Sequence, residues 1–362
     1  MVKDGRLRAP FFCRGGLNRR WATIAPPSSM RQAARSSGGW SYGSQGIRLK
    51  IAFVVDPLED FKIYKDTTYA IMREAHARGH ALSTMQQEGL SWRRGTVSGM
   101  ASRLQLTGDK NAWYRSDAPA ETALSAFDAV LMRKDPPFDM EYVYSTYLLE
   151  LAEMQGARII NRPRAIRDYN EKMAIARFPQ FTAPSLVTRS ETLIRDFLAE
   201  HGDIILKPLD GMGGISVFRI HEQDHNVGVI IETVTHYGRR TVMAQRFIPE
   251  IRDGDKRVLV IGGKPVPYSL ARIPKKGETR GNLAVGGTGT ARELTARDRE
   301  IAEALGPTFV AEGLLLVGLD VIGDYLTEVN VTSPTCFQEI GEQTGFNVAG
   351  MMLDEIEAGA NA

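Results

Sequence analysis

From residue 49 onward, short runs of apolar residues alternate with amphipathic stretches. Ile51-Ala52-Phe53-Val54-Val55 is a continuous apolar run of strand length, and Thr67 to Arg78 carries helical periodicity that stops at Gly79, a residue suited to a left-handed helix cap. Ala129 to Met132 predicts a second strand, Glu141 to Gln155 a helix ended by Gly156, and Arg158-Ile159-Ile160 a third short strand. Strands alternating with helices point to an open parallel α/β sheet over residues 49 to about 170.

Past Pro163 a further helix is expected to carry Asn170-Glu171-Lys172, after which the pattern changes. Residues 203 to 273 read mostly as antiparallel strands: Ile204 to Pro208, Ser216 to Ile220, Val242 to Ile248, and Val258 to Ile261 joined to Val266 to Arg272 by Gly262-Gly263. Paired glycines supply the positive φ angles that a tight hairpin turn demands. A helix from Thr295 to Glu312 and strands Leu315 to Ile322 and Tyr325 to Val331 complete an α+β region, with no internal repeat. By contrast, the stretch up to about Gly46 has no apolar periodicity and is rich in Arg, Ser and Gly, so disorder is expected there.

Composition sharpens that division. The chain has 362 residues, 43% hydrophobic and 24% charged, enough for two or three domains with real cores. Residues 1 to 50 hold ten Lys/Arg against one acid, Asp4, so of the net charge of +2 this segment supplies +9 and the remainder carries −7. A mildly acidic body offers no electrostatic footprint for nucleic acid. The basic, acid-poor leader fits a transit peptide or a dispensable extension ahead of a true start at Leu49. Runs such as Leu314 to Leu319 are too short to span a bilayer, and two cysteines, Cys13 and Cys336, make no disulfide framework, so a cytoplasmic protein without membrane partners is expected.

The common nucleotide loops are absent: neither G-x-x-x-x-G-K-[ST] nor G-x-G-x-x-G after a strand occurs. Another phosphate cradle is present in Lys207-Pro208-Leu209-Asp210-Gly211-Met212-Gly213-Gly214, where a lysine ends a strand and glycines let backbone N–H groups approach phosphate oxygens. A glycine hairpin with a solvated lysine would look the same. Asp320, Glu328 and Asn330 fall on two adjacent strands joined at Gly323-Asp324; Glu328 and Asn330 share a face, and a hairpin brings Asp320 beside them. Such hard ligands suit Mg²⁺ held jointly with phosphates, although alternating polar residues also mark a wet strand face. Asp255-Lys256-Arg257 opens one strand, Arg272 closes the next and Arg280 follows, fitting an anionic substrate. The segment Ile273 to Arg292, with glycines at 277, 281, 286, 287 and 289, reads as a mobile lid or as plain disorder. Cys336 has no neighbouring His and is expected to be an inert thiol; His76 and His80 lack the glutamate of a zinc helix; Tyr142, Tyr144, Tyr147, Leu148 and Leu151 form a core or subunit contact.

Taken in order, Lys172, the Lys207 to Gly214 loop, Lys256-Arg257, the glycine-rich segment and Asp320…Glu328-Val329-Asn330 resemble the ATP-grasp carboxylate–amine ligases. Met132-Arg133-Lys134-Asp135-Pro136-Pro137-Phe138-Asp139, Ile205 to Gly214, Gly277 to Ala284 and Asn330-Val331-Thr332-Ser333-Pro334-Thr335 are similar, more narrowly, to the prokaryotic type of glutathione synthetase, over residues 49 to 357. The resemblance implies an α/β domain over 49–170 followed by an ATP-grasp domain over 171–357, a lid over 273–292 and a short tail at 358–362. It implies ATP-dependent joining of γ-glutamylcysteine and glycine through an acyl phosphate. Rival activities are a related ligase with another substrate pair and a non-catalytic nucleotide-binding regulator. In this scheme Lys172, Lys207, Gly211, Met212, Gly213 and Gly214 contact ATP phosphates, and Gln245, Arg246, Phe247 and Ile248 line the adenine site. Asp320, Glu328 and Asn330 hold Mg²⁺ or Mn²⁺. Asp255, Arg257, Arg272, Asn282 and Ser333 bind the peptide substrate, while Arg257, Arg272 and Arg280 act on the transferred phosphoryl group. The resemblance also implies a homo-oligomer, a tetramer, with small-molecule substrates only.

Overall fold

The computed structural model describes residues 48–277, 281, 283 and 286–360. The expectations for the leading segment, Arg280 and Asn282 lie outside the described residues.

Among the described residues the strands form three sheets. In the first, β1 (Lys50–Val54) lies between β2 (Ala81–Met85) and β7 (Ala129–Met132), and β7 pairs with β8 (Ile159–Ile160), all parallel. Helix α1 (Thr67–Ala77) starts at Asp66, whose carboxylate accepts from the Tyr69 N–H, and yields to Gly79 at φ +85. Helix α2 (Met140–Met154) starts the same way at Asp139. The parallel half follows from apolar runs buried on both faces: β7 is buried at all four positions and β1 at four of five. Residues 86–123, for which the sequence pattern predicts no element, add an antiparallel flank of β3 (Leu90–Arg93), β4 (Thr96–Leu106), β5 (Tyr114–Ser116) and β6 (Ala120–Ala123). At most two positions of β3, β5 and β6 turn even partly inward, so these strands carry little apolar signal.

Helix α3 (Pro163–Asp168) ends sooner than expected. Asn170-Glu171-Lys172 therefore is not helical; it forms a turn that the Asn170 side chain fastens by accepting from the N–H groups of Lys172 and Met173.

The strands between 203 and 273 belong to two sheets. β9 (Ser185–Thr188), β10 (Asp203–Pro208), β11 (Phe218–His221) and β12 (Val242–Arg246) form a four-stranded sheet in the order β11-β10-β12-β9, backed by α4 (Glu191–His201) and α5 (Val227–Val234) through Ile194, Leu198, Ile231 and Val234. β13 (Asp255–Ile261), β14 (Lys264–Ile273), β15 (Thr288–Glu293), β16 (Leu316–Ile322) and β17 (Tyr325–Asn330) form an antiparallel sheet in the order β15-β14-β13-β16-β17. Gly262 and Gly263 turn the β13–β14 hairpin at φ +57 and +77. Because β15 pairs with β14 from Ile273↔Thr288 to Tyr268↔Glu293, the first and last residues assigned to the lid are sheet, which leaves 274–287 between the two strands.

Helix α6 (Ala296–Ala311), opened by a reciprocal Thr295–Asp298 capping box, seals one face of this sheet with Ile301, Leu305 and Phe309. The C-terminal helices α7 (Phe337–Thr344) and α8 (Val348–Ala358) return to the first sheet: Ile340, Met352, Leu353 and Ile356 share a core with Phe53 and Ile71 of the first sheet and α1, and with Leu259 and Ile261 of β13. Buried Asn161 adds a polar clamp, donating to Leu316 O and Val331 O and accepting from Leu316 N. The first and third sheets are thus fixed to each other, with a cleft where their ends meet the second.

Candidate active site

The cleft has a volume of about 640 Å³ and is lined from all three sheets. Lys207, near the end of β10, brings a buried ammonium to it. That ammonium has three donors, yet its nearest acceptors, Gln245 Oε1 and Thr327 O, stand at 3.5 Å and Glu328 Oε1 at 3.9 Å. Burial pulls its pKa down, and Glu328 recovers only part of the loss. Lys172 approaches from the Asn170 turn: it donates to Gly211 O at 2.7 Å, pairs with Glu171, and lies 3.6 Å from Glu328 Oε1. Here burial is outweighed by Glu328 and Glu171, and the pKa is raised. Glu171, which no sequence motif marks as a site residue, is pushed up to about 7 by burial first and then by Glu328.

Between the two lysines runs the glycine loop. Gly213 and Gly214 have φ of +65 and +80, and a side chain at Gly213 would meet nothing within 4 Å, so the loop stands open over the cleft, with Met212 and Ile215 exposed. Gln245, Arg246, Phe247 and Ile248 line the cleft beside it at the end of β12. Gln245 is fixed by donating to Ser185 Oγ at 3.0 Å, and Arg246 by donating to Tyr325 OH at 3.1 Å.

The third sheet supplies a second charged cluster. Cross-strand register sets Asp255 opposite Arg272, Arg257 opposite Asp320, and Asp320 opposite Glu328. Arg257 donates from Nε to Asp320 Oδ1 at 2.6 Å; Arg272 pairs with Asp255 Oδ2 at 2.5 Å and Asp320 Oδ2 at 2.9 Å. All four are buried. Burial alone would raise Asp320, but Arg257 and Arg272 hold its carboxyl well below the usual range. Asp255 shares one arginine with Asp320, and burial prevails there, raising it to about 6. Its second oxygen, Oδ1, has no hydrogen-bond partner.

Asn330 follows Glu328 on the same face of β17 and donates to Gly318 O at 3.3 Å, which leaves its amide oxygen available. Among the described residues no three His, Cys, Asp or Glu side chains cluster closely enough to form a metal cage by themselves. Two carboxylates and one amide oxygen nevertheless make a hard donor set of the kind that holds Mg²⁺ together with phosphates rather than alone.

Ser333 reaches the cleft from the loop after β17 and bonds Asp135. Arg133 and Asp135, which follow β7, and Asp66 and Thr68, at the start of α1, complete the wall. Their signal in the sequence is positional: Arg133 follows a fully buried strand at its carboxyl end, where open α/β sheets bind ligands. Cys336 also lines the cleft; burial raises its thiol pKa, in keeping with an unreactive thiol. His80 is engaged by Leu49 N–H and Glu357, as expected of a structural histidine.

Comparison with known proteins places this geometry. Residues 49–167 match the family model "Prokaryotic glutathione synthetase, N-terminal domain", and residues 171–345 match "Prokaryotic glutathione synthetase, ATP-grasp domain". The chain is 65% identical over 313 residues to the glutathione synthetase of Nitrosomonas europaea, covering 85% of this chain and 98% of that one. It is 63% identical to the glutathione synthetase of Ralstonia nicotianae, covering 86% and 96%. Among solved structures, D-cycloserine synthetase DcsG superposes with a TM-score of 0.61 at 16% identity over 84% of this chain and 99% of that one. The ATP-grasp ligase PsnB, in complex with a precursor peptide and AMPPNP, superposes with a TM-score of 0.57 at 18% identity over 86% and 98%. These two share the fold; the family is set by the sequence matches, and the chain belongs to the prokaryotic glutathione synthetases, with an N-terminal α/β domain and an ATP-grasp domain.

Proposed function

We propose that the chain joins the cysteinyl carboxylate of γ-glutamylcysteine to the amine of glycine, consuming ATP and releasing glutathione, ADP and phosphate. The observation that carries this reading is the meeting, in one cleft, of an under-coordinated lysine beneath a glycine loop and a rigid guanidinium pair on the facing sheet.

The chemistry requires such a division. An amine cannot displace oxide from a carboxylate, so the carboxylate oxygen first takes the γ-phosphoryl group of ATP; the amine then attacks the acyl carbon and phosphate leaves. Positioning and charge neutralisation carry most of such a transfer, and no protein nucleophile is needed. Lys172, Lys207 and the Gly211-Met212-Gly213-Gly214 backbone bind the phosphates. Gln245, Arg246, Phe247 and Ile248 hold the adenine. Arg257 and Arg272 orient the carboxylate and neutralise charge on the phosphoryl group in flight, with Asp255 and Asp320 fixing the guanidinium planes. Ser333 and Asn282 bind the peptide, Arg280 acts with Arg257 and Arg272 on the phosphoryl group, and the 274–287 segment keeps water from the acyl phosphate. Asp320, Glu328 and Asn330 would hold Mg²⁺, or Mn²⁺ in its place, which when bound supplies positive charge against the triphosphate.

A cytoplasmic homo-oligomer, a tetramer, completes the reading. Self-association is supported by the exposed apolar residues Met140, Tyr144, Tyr147, Leu151 and Met154, which recur at intervals of four and three along α2 and so form one stripe. Among the described residues no helix is long and apolar enough to cross a membrane.

The test is phosphate release by the full chain with Mg-ATP, given γ-glutamylcysteine plus glycine, each alone, or D-alanine pairs, with mass detection of product. Release that needs both γ-glutamylcysteine and glycine and yields glutathione is expected. Turnover on another pair only would make it a different ligase, and ATP binding without turnover would make it a regulator.

A further inference from the structure

The turn Asn170-Glu171-Lys172 joins parts of the protein that lie far apart in the chain. Its backbone is tied to the third sheet: Glu171 O accepts from the N–H of Val329 at 2.8 Å, and Val329 stands between Glu328 and Asn330 on β17. Its lysine is tied to the glycine loop, donating to Gly211 O at 2.7 Å. The Asn170 side chain makes a second link to that loop. Its Nδ2 donates to Leu209 O at 3.0 Å, two residues after Lys207 and two before Gly211.

The two links to the loop are not equivalent. Lys172 directs its ammonium at Glu171, at Gly211 O and, 3.6 Å away, at Glu328. An ammonium has three donors, so a phosphate that engages Lys172 must displace one of these partners. The Asn170 amide carries no charge, and it does not line the cleft, whereas Glu171 and Lys172 do. Its link to Leu209 therefore does not compete with a ligand.

The residue type fits two tasks at once. The Asn170 oxygen accepts from Lys172 N–H at 3.1 Å and from Met173 N–H at 3.0 Å, which closes the turn, while the amide nitrogen reaches the loop. An ionised aspartate would keep the first task and lose the second, having no donor. The loop needs such a holder. Leu209 packs against the core shared by α6 and the third sheet, but past it Met212 and Ile215 are 45% and 65% exposed, so these side chains do little to pin the glycines.

Resting on the function proposed above, we infer that Asn170 is a positioning residue for phosphoryl transfer: its amide N–H fixes the glycine loop relative to β17, so that phosphates held by the loop meet Asp320, Glu328 and Asn330 in register. A displacement of about 1 Å in such a step is enough to cost rate heavily. A neutral tie outside the cleft holds the register before ATP binds and after Lys172 has turned to a phosphate.

The experiment compares Asn170→Asp and Asn170→Ser with wild type in the full chain. Both keep an oxygen able to close the turn. Aspartate has no donor and serine is too short to reach Leu209 O, and serine is neutral, so an effect common to both variants is not one of charge. In the free protein, backbone hydrogen exchange over residues 211–216 should rise about tenfold in both, with β17 as protected as in wild type and the urea midpoint unchanged. KM for ATP should rise about tenfold, the size of one lost hydrogen bond, with KM for γ-glutamylcysteine and for glycine within about twofold of wild type. Unaltered exchange in the loop, an equal rise in all three KM values, or an effect confined to Asn170→Asp would overturn the assignment. Loss of folding in both variants would overturn it too, since Asn170 would then serve the fold and not the loop. A wild type that forms no glutathione would remove the proposed function first; the exchange comparison, made without substrate, still reads the tie to Leu209.

Discussion

The two basic clusters that face each other across the cleft differ in how they are held. On the five-stranded sheet, Arg257 and Arg272 are locked to Asp320 and Asp255 at 2.5 to 2.9 Å, and each guanidinium is raised in pKa by those partners against the pull of burial. On the four-stranded sheet, Lys207 is equally buried but its acceptors stand off at 3.5 Å or more, and its pKa is lowered. In the first cluster both arginines are paired without a ligand, and they contribute geometry. The second is incomplete without one, and its unspent hydrogen-bonding capacity is what a phosphate would use. Fixed planar donors suit a carboxylate that must be aimed, while a point charge on a flexible stem suits a phosphate that moves during transfer.

Removing the acid that ties the arginines should have the largest effect. Asp320→Ala leaves two buried guanidiniums with Asp255 alone between them, and breaking such a pair costs roughly 3–5 kcal/mol. The expected outcome is a loss of unfolding free energy of that size in urea titration, together with loss of glutathione synthesis. Unchanged stability would mean that the arginines find other partners and that the contrast between the clusters is superficial.

Lys207→Met should separate function from stability in the opposite sense. The substitution removes a cation that burial disfavours and keeps the volume, so stability should hold or rise slightly. Losing a charge-assisted contact to the phosphates should lower kcat/KM for ATP by about 10²–10³. Steady-state kinetics beside thermal melts of the same preparation decide it; a variant that melts early would show that Glu328 already compensates the charge of Lys207 in the free protein.

The same contrast explains which parts of the site are legible in the sequence. Glu328 and Asn330 are legible because a strand's period of two puts them on one face, and Asp320 because the intervening turn is too short for anything but a hairpin. Lys207 is legible from the glycines that follow it. The lysine turn reads wrongly as helix, since the apolar spacing of Ala174 and Ile175 suits either a helix or the tight 3₁₀ turn that forms. The 86–123 flank escapes notice because most of its strands turn few apolar side chains inward. Arg133 is visible as a residue but not as a site, because its meaning depends on β7 lying beside β1, a long-range pairing that no local pattern encodes.

The subtlest difference lies inside the arginine cluster itself and concerns pH. Asp320 touches two arginines and its carboxyl is held low; Asp255 touches one, and burial, the largest influence on it, raises it from 3.8 to about 6. A raised carboxyl binds its proton more tightly in the folded state than in the unfolded state. Folding therefore gains at low pH from this group, and the gain is lost as pH rises from about 4 to about 6. Asp320 has the reverse sign, since its contribution is present above the unfolded value and is lost as pH falls below it. The difference in unfolding free energy between wild type and Asp255→Asn, followed by urea titration from about pH 4 to about pH 7, should accordingly change in favour of the variant as pH rises, and level off above about 6. The amide introduced by Asp255→Asn cannot titrate, so a flat difference curve would mean that Asp255 stays ionised throughout. In that case Arg272 would neutralise both aspartates equally well, and the asymmetry between them would vanish.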